Sequence, residues 1–274
     1  SIPPPGTTTI MKKFFYSFEV PLVAYLLLVM VFVIIQRAPG VWGFLGFHFL
    51  GLLILFSVAW VEQKYQRRFW TVLRHWLPIL FIVAIFRELT FLIPQIHPFD
   101  SYYWDGVLAS WDQALFGDVH QKVSHFWSPF LIELFYYCYW FYFPMPLILA
   151  LLFWWRKSKE RYRHFGTVYF VTMLLGYLLY MLIPAVGPQH FESRPSVLDG
   201  VWFGEWMHLT LRELEMTTAD AFPSLHTAAA VLVLVYSWGT HRKYFWWMLL
   251  PGVGLVLSTM VLRYHYIVDV LAGI

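Results

Sequence analysis

Eight apolar runs, each close to the length needed to cross a bilayer, set the strongest limit on what this chain can become. They fall at about 15–36, 41–61, 70–93, 130–154, 165–184, 222–238, 244–262 and from 264 onward. A helix needs roughly 20 apolar residues to cross the hydrocarbon core. Within that core every backbone amide must be paired inside the segment, which favours helices. Composition agrees: 59% of the residues are hydrophobic and only 13% charged, against about 25% charged in a typical soluble domain. The expectation is an all-α, polytopic transmembrane bundle of about eight spans.

The organisation is simple. Residues 1–10 are Pro/Thr-rich and precede Met11-Lys12-Lys13, which reads as a natural start. They are expected to be an expression remnant or disordered. Residues 11–274 read as a single integral membrane domain. The last apolar run stops at Ile274, part-way through a span, so a continuation of the natural chain is expected. Two connections are long, 94–129 and 185–221. The apolar residues in the first suit an interfacial helix better than a free loop. Cys138 has no second cysteine to pair with in this chain. Basic residues lie in short connections rather than on one face, which argues against nucleic-acid binding.

Charge asymmetry orients the bundle. Lys12, Lys13, Lys64, Arg67, Arg68, Arg74, Arg156, Lys157, Lys159, Arg161, Arg163, Arg242 and Lys243 sit at the N-terminus and in the even-numbered connections. The long odd connections carry Asp100, Asp105, Asp112, Asp118, Glu192, Asp199, Glu205, Glu213, Glu215 and Asp220. Arg37 is the main exception. The N-terminus is therefore expected in the cytoplasm, with the third, fifth and seventh connections facing the extracytoplasmic or lumenal side. Arg87 and Glu88 fall inside the third span, where charge is costly. They are expected to pair with each other or with Glu133.

Two short stretches carry chemistry: Phe222-Pro223-Ser224-Leu225-His226-Thr227 and Arg263-Tyr264-His265-Tyr266-Ile267-Val268-Asp269. Both fall at the outward ends of spans. His265 and Asp269 are four apart, which places them on one face of a helix. A carboxylate bonded to one imidazole nitrogen fixes the tautomer and leaves the other lone pair free to attack. It also stabilises the positive charge of a phosphorylated histidine. His226 lies one turn into its own helix, after Pro223 and Ser224. Exposed amides there, with the Ser224 hydroxyl, make an anion site. A histidine beside that site can protonate a leaving alkoxide and later deprotonate an incoming alcohol or water. Arg263 can supply fixed positive charge to phosphoryl oxygens.

Together the two motifs resemble the type 2 phosphatidic acid phosphatase superfamily. Within it the chain is similar to the branch of fungal inositol phosphorylceramide synthase and sphingomyelin synthase. Pro184-Ala185-Val186-Gly187-Pro188 and the stretch from Asp105 to Gly117 are weaker points of likeness to that branch. The likeness covers roughly residues 100–274. It implies a six-helix catalytic core, within about 70–274, and chemistry without a metal or other cofactor. His265 would be the nucleophile, Asp269 its orienter and His226 the general acid. Leu225, Gln189, His190 and Arg194 join Arg263 and Ser224 as candidate substrate or phosphate contacts. The phosphatase branch has a Lys…Arg-Pro motif, of which Arg194-Pro195 is a partial echo, and a Ser-Arg pair where this chain has Ser258-Thr259. Leu225 replaces that branch's glycine. These departures lean toward a phosphotransferase that moves a phosphoryl or phospho-headgroup between lipids. A lipid phosphate phosphatase, with water as acceptor, uses the same residues. A zinc hydrolase built on His226, His265, Asp269 and His190, and a non-catalytic transporter, stay open as readings from other classes.

Overall fold

The structure, a computed structural model, describes residues 14–97, 103–117, 128–191, 200–214 and 219–274. The side chain of His190 and all of Arg194 lie outside that description, as do residues 1–10. The described residues are overwhelmingly helical: α1 (Glu19–Ile35), α2 (Val41–Tyr65), α3 (Arg68–Ile96), α4 (Asp105–Phe116), α5 (Pro129–Trp140), α6 (Pro144–Trp155), α7 (Lys159–Leu182), α8 (Pro188–Phe191), α9 (Gly204–Leu214), α10 (Leu225–Thr240), α11 (Arg242–Val261) and α12 (Ile267–Gly273).

Each expected apolar run coincides with one of these helices or, at 130–154, with the pair α5 and α6. By length and apolarity, α2, α3, α7 and α11 can each cross a membrane. The pair α5 and α6, bent by 41° at a short break, can supply a fifth span. Pro144 opens α6, and its missing amide explains why the helix does not run straight through. Helices α1 and α10 are apolar but shorter, and α12 has seven residues. The most apolar window of α2 is only 22% buried within the protein. Leu50, Leu53 and Phe56 on it point outward, a surface that lipid accepts and water does not. The chain is an integral, multi-pass membrane protein.

The described chain forms two compact units. One runs up to Glu88 and takes in Ser158–Leu174; the other is Leu89–Lys157 with Leu175–Ile274. In the first unit, buried Arg74 bonds Glu19 through Nε (2.8 Å) and Nη2 (2.7 Å) and Glu62 through Nη1 (3.1 Å). Burying a guanidinium is tolerable only with such pairing. Glu88 pairs with neither Arg87 nor Glu133. Its two oxygens lie 2.8 and 2.9 Å from His48 Nε2. Glu133, in the second unit, instead accepts the backbone amides of Val201, Trp202, Phe203 and Gly204. Four converging N–H groups at the start of α9 satisfy a buried carboxylate without a cation.

The second unit holds the two histidine motifs. Helices α10, α11 and α5 pack together around Ile132, Tyr136, Tyr139, Ala230, Leu255 and Leu262. The N-terminal end of α10 and the C-terminal end of α12 meet closely, since a Cβ on Gly273 would run into the Ser224 carbonyl oxygen.

Candidate active site

Helix α10 begins where the sequence places it. Ser224 is its N-cap, with the hydroxyl 3.3 Å from the Thr227 amide. That hydroxyl also accepts the Thr227 hydroxyl at 3.1 Å, and Ser224 is fully buried. Its oxygen is thus engaged in capping. Leu225 sends its side chain into the core against Gly176. What Leu225 offers the site is backbone at the positive end of a helix. His226 follows, partly exposed, with its ring packed against Tyr139 (centroids 4.6 Å apart) and Tyr142 (4.3 Å). Tyr139 in turn stacks on Tyr264 at 4.7 Å.

His265 is not on the helix that bears Asp269. Helix α11 ends at Val261, and Arg263 turns the chain with φ of 65°. The amides of Tyr264 and His265 both bond the Thr259 carbonyl, each at 3.0 Å. Helix α12 starts two residues later, at Ile267. Asp269 in its first turn accepts the Tyr266 amide at 2.8 Å, so the carboxylate helps close the start of the helix.

The consequence for the imidazole is specific. His265 Nδ1 lies 2.7 Å from the Ala221 carbonyl oxygen and 3.6 Å from Asp269 Oδ2. A carbonyl has no proton to give, so Nδ1 must carry the hydrogen and donate it. The tautomer expected from Asp269 is therefore held first by a backbone carbonyl, with the buried carboxylate behind it. Nε2 is left with its lone pair, facing His226 Nδ1 at 3.3 Å. His265 is 2% exposed and Asp269 0%.

The remaining candidates divide. The Gln189 amide bonds the Arg263 carbonyl at 2.8 Å, so both lie beside the His265 turn. Gln189 Oε1 is buried and has no hydrogen-bond partner among the described residues. His190 is placed only by its backbone, in α8. Among the described residues no three His, Cys, Asp or Glu side chains converge as metal ligands. The reason is geometric: Asp269 lies on the Nδ1 side of His265, and His226 lies on the Nε2 side.

The likeness noted from the two motifs has independent support. A family model described as the PAP2 superfamily matches residues 107–274. The chain belongs to the PAP2 superfamily. Among relatives, a phosphoinositol dihydroceramide synthase of Bacteroides thetaiotaomicron is 28% identical over 158 residues, covering 52% of this chain and 50% of the relative. An inositol phosphorylceramide synthase of Candida albicans is 25% identical over 155 residues, covering 48% of this chain and 31% of its own. A PA-phosphatase related-family protein of Dictyostelium discoideum is 24% identical over 120 residues, covering 42% and 22%. The match spans half or less of each relative. No solved structure gives a significant match.

Sequence reasoning missed three contributors. Ala221 acts through a backbone carbonyl, which no side-chain pattern reveals. Tyr139 and Tyr142 are aromatic residues in an aromatic-rich span, with no local signal separating them from packing residues.

Proposed function

We propose that this protein transfers a phospho-headgroup from one membrane lipid to the hydroxyl of another, through a phosphohistidine intermediate on His265. The observation that carries this reading is the imidazole pair: Nδ1 of His265 committed to the Ala221 carbonyl, Nε2 free and turned toward His226. That is the arrangement of a nucleophile with an adjacent acid–base group.

In the first step Nε2 forms a bond to phosphorus of the donor. The bond from phosphorus to the leaving lipid oxygen breaks, and His226 gives that oxygen a proton. Two nitrogens at 3.3 Å leave no room for phosphorus between them, so donor entry separates the rings. In the second step His226 takes the proton of the acceptor hydroxyl. The acceptor oxygen bonds to phosphorus, and the N–P bond breaks back to a neutral His265. Asp269, 3.6 Å from Nδ1, balances the cationic intermediate. Arg263 and the N-terminal end of α10 face the charge on the phosphoryl oxygens.

The names of two relatives favour a phosphoinositol headgroup as cargo and a ceramide-type hydroxyl as acceptor. The third relative's name supports a second reading, in which water is the acceptor and the enzyme is a phosphatase at the same site. The acidic bias of the long connections supports an active site on the extracytoplasmic or lumenal side.

The test is intact-mass analysis of the purified protein with an inositol phospholipid, with and without a ceramide. A phosphoinositol adduct is expected to accumulate on the parent when ceramide is left out, to form more slowly with His226→Ala and to vanish with His265→Ala. Turnover in His265→Ala is expected to drop at least about 10⁴-fold. Undiminished turnover in that variant would refute the mechanism. Equal headgroup release with and without ceramide would move the assignment to the phosphatase.

A further inference from the structure

Helix α4 is built inside out. Asp105, Leu108 and Asp112, at i, i+3 and i+7, are buried, while Trp104, Val107, Trp111 and Leu115 are exposed. A helix in water would place these two sets the other way round. An outward face of tryptophan and aliphatic residues suits a membrane boundary. The inward carboxylates need partners, and the partners are mainly backbone.

Asp105 accepts the amides of Val186 and Gly187, each at 2.8 Å, and the Tyr266 hydroxyl at 3.1 Å. Asp112 accepts the amides of Ile267 and Val268, each at 2.9 Å. These are the first two amides of α12, which have no partner within their own helix. Each carboxylate uses both oxygens on backbone donors, so each fixes the course of a segment.

Both segments lead to His265. From Asp112 the path is short, since only Tyr266 separates His265 from Ile267 and Val268. From Asp105 it runs through the 184–188 turn. The Ala185 carbonyl accepts the Ala221 amide at 2.9 Å, and the Ala221 carbonyl accepts His265 Nδ1 at 2.7 Å. Gly187 locks the turn against the nucleophile loop: its φ is 81°, and a Cβ there would strike the Tyr264 carbonyl oxygen. The Tyr266 hydroxyl ties the residue beside His265 to the same Asp105 oxygen that holds Gly187.

We propose that Asp105 and Asp112 are positioning residues, which hold the Ala221 carbonyl and the start of α12 so that His265 keeps its Nδ1–H tautomer and its aim. This rests on His265 being the nucleophile. Neither carboxylate touches the reacting atoms; they act through four amides and one hydroxyl.

The test uses the full chain in phospholipid nanodiscs, with an inositol phospholipid and a ceramide, comparing the parent with Asp105→Asn and Asp112→Asn. An amide side chain keeps the shape but turns one N–H donor toward a backbone N–H. The expected result is a kcat lower by about 10²-fold, the scale of an ångström-level misplacement, with KM and melting temperature close to the parent. The ¹⁵N spectrum of His265 is expected to change from a single Nδ1–H form to a mixture. Unchanged kcat in a folded variant overturns the proposal. So does a loss of kcat that tracks loss of folded protein while the His265 spectrum stays that of the parent. If neither variant folds, Tyr266→Phe removes only the hydroxyl held by Asp105. A parent-like kcat and spectrum there also overturn the proposal. Turnover that survives His265→Ala overturns the reading of the active site itself, and this inference with it.

Discussion

Among the described residues two buried histidine–carboxylate pairs stand out, one in each compact unit, and they are wired differently. His48 and Glu88 are tightly joined. His48 Nδ1 is 3.0 Å from the Leu26 carbonyl, and Nε2 is 2.8 and 2.9 Å from the Glu88 oxygens. Both nitrogens are spent, and His48 is fully buried. His265 also commits Nδ1 to a carbonyl, that of Ala221. Its carboxylate, Asp269, stands on that same nitrogen, at 3.6 Å. Nε2 is therefore left for His226. The two pairs share composition and burial. They differ in which nitrogen the carboxylate occupies, and that decides whether a buried imidazole is a closed structural link or keeps a nitrogen for the nucleophilic role proposed for His265.

The comparison can be broken in graded steps. The largest effect is expected at Asp269→Asn, which keeps the shape but removes the charge facing the phosphohistidine. Turnover should fall by about 10²-fold, the scale of losing one electrostatic contact to a developing charge, with the protein still folded. Because the Ala221 carbonyl holds the tautomer independently, the loss should stay below the ~10⁴-fold seen when an orienting carboxylate alone sets the tautomer. A loss as deep as that of His265→Ala would show that the carbonyl does not suffice.

Next is His48→Ala, which strands Glu88. Removing one partner of a buried pair costs about 3–5 kcal/mol. A lower melting temperature is expected, with parent-like kcat in the protein that remains folded. A selective loss of kcat at full stability would place His48 in the chemistry and erase the contrast. The smallest effect is expected at Ser224→Ala. Losing the N-cap of α10 costs about 1 kcal/mol, and with the hydroxyl turned to Thr227 rather than to substrate, kcat/KM should fall less than about tenfold. A larger loss, seen at constant stability in steady-state kinetics, would assign the hydroxyl to phosphate binding.

Much of the fold was legible because apolar runs of near-membrane length have few alternatives. The break between α5 and α6 was less so: Pro144 sits in a continuous apolar stretch, and a proline can kink a span or simply begin a new helix. At the site, Pro223-Ser224 announced the start of α10, and the cap is there. The i, i+4 spacing of His265 and Asp269 suggested one helix face. The backbone instead turns at Arg263 and starts α12 only at Ile267. Spacing gives adjacency on a helix only where the helix has already begun. Arg87 and Glu88 looked like natural partners, yet neighbours in sequence on a helix point to different faces, and Glu88 met His48 instead.

By itself, the sequence determined that this chain is a helical membrane protein of the PAP2 superfamily and singled out His226, His265 and Asp269, the residues to which the proposed chemistry is assigned. Apolar length, charge bias and short motifs are properties of residue types read along one dimension. Tertiary structure alone decided how those residues are wired: that the Ala221 carbonyl holds His265 Nδ1, that Asp105 and Asp112 face inward onto backbone amides, and that Glu133 closes the start of α9. The reason is physical. Every residue but proline carries the same amide and carbonyl, so a hydrogen bond to backbone leaves no mark in the sequence until the fold brings its two ends together.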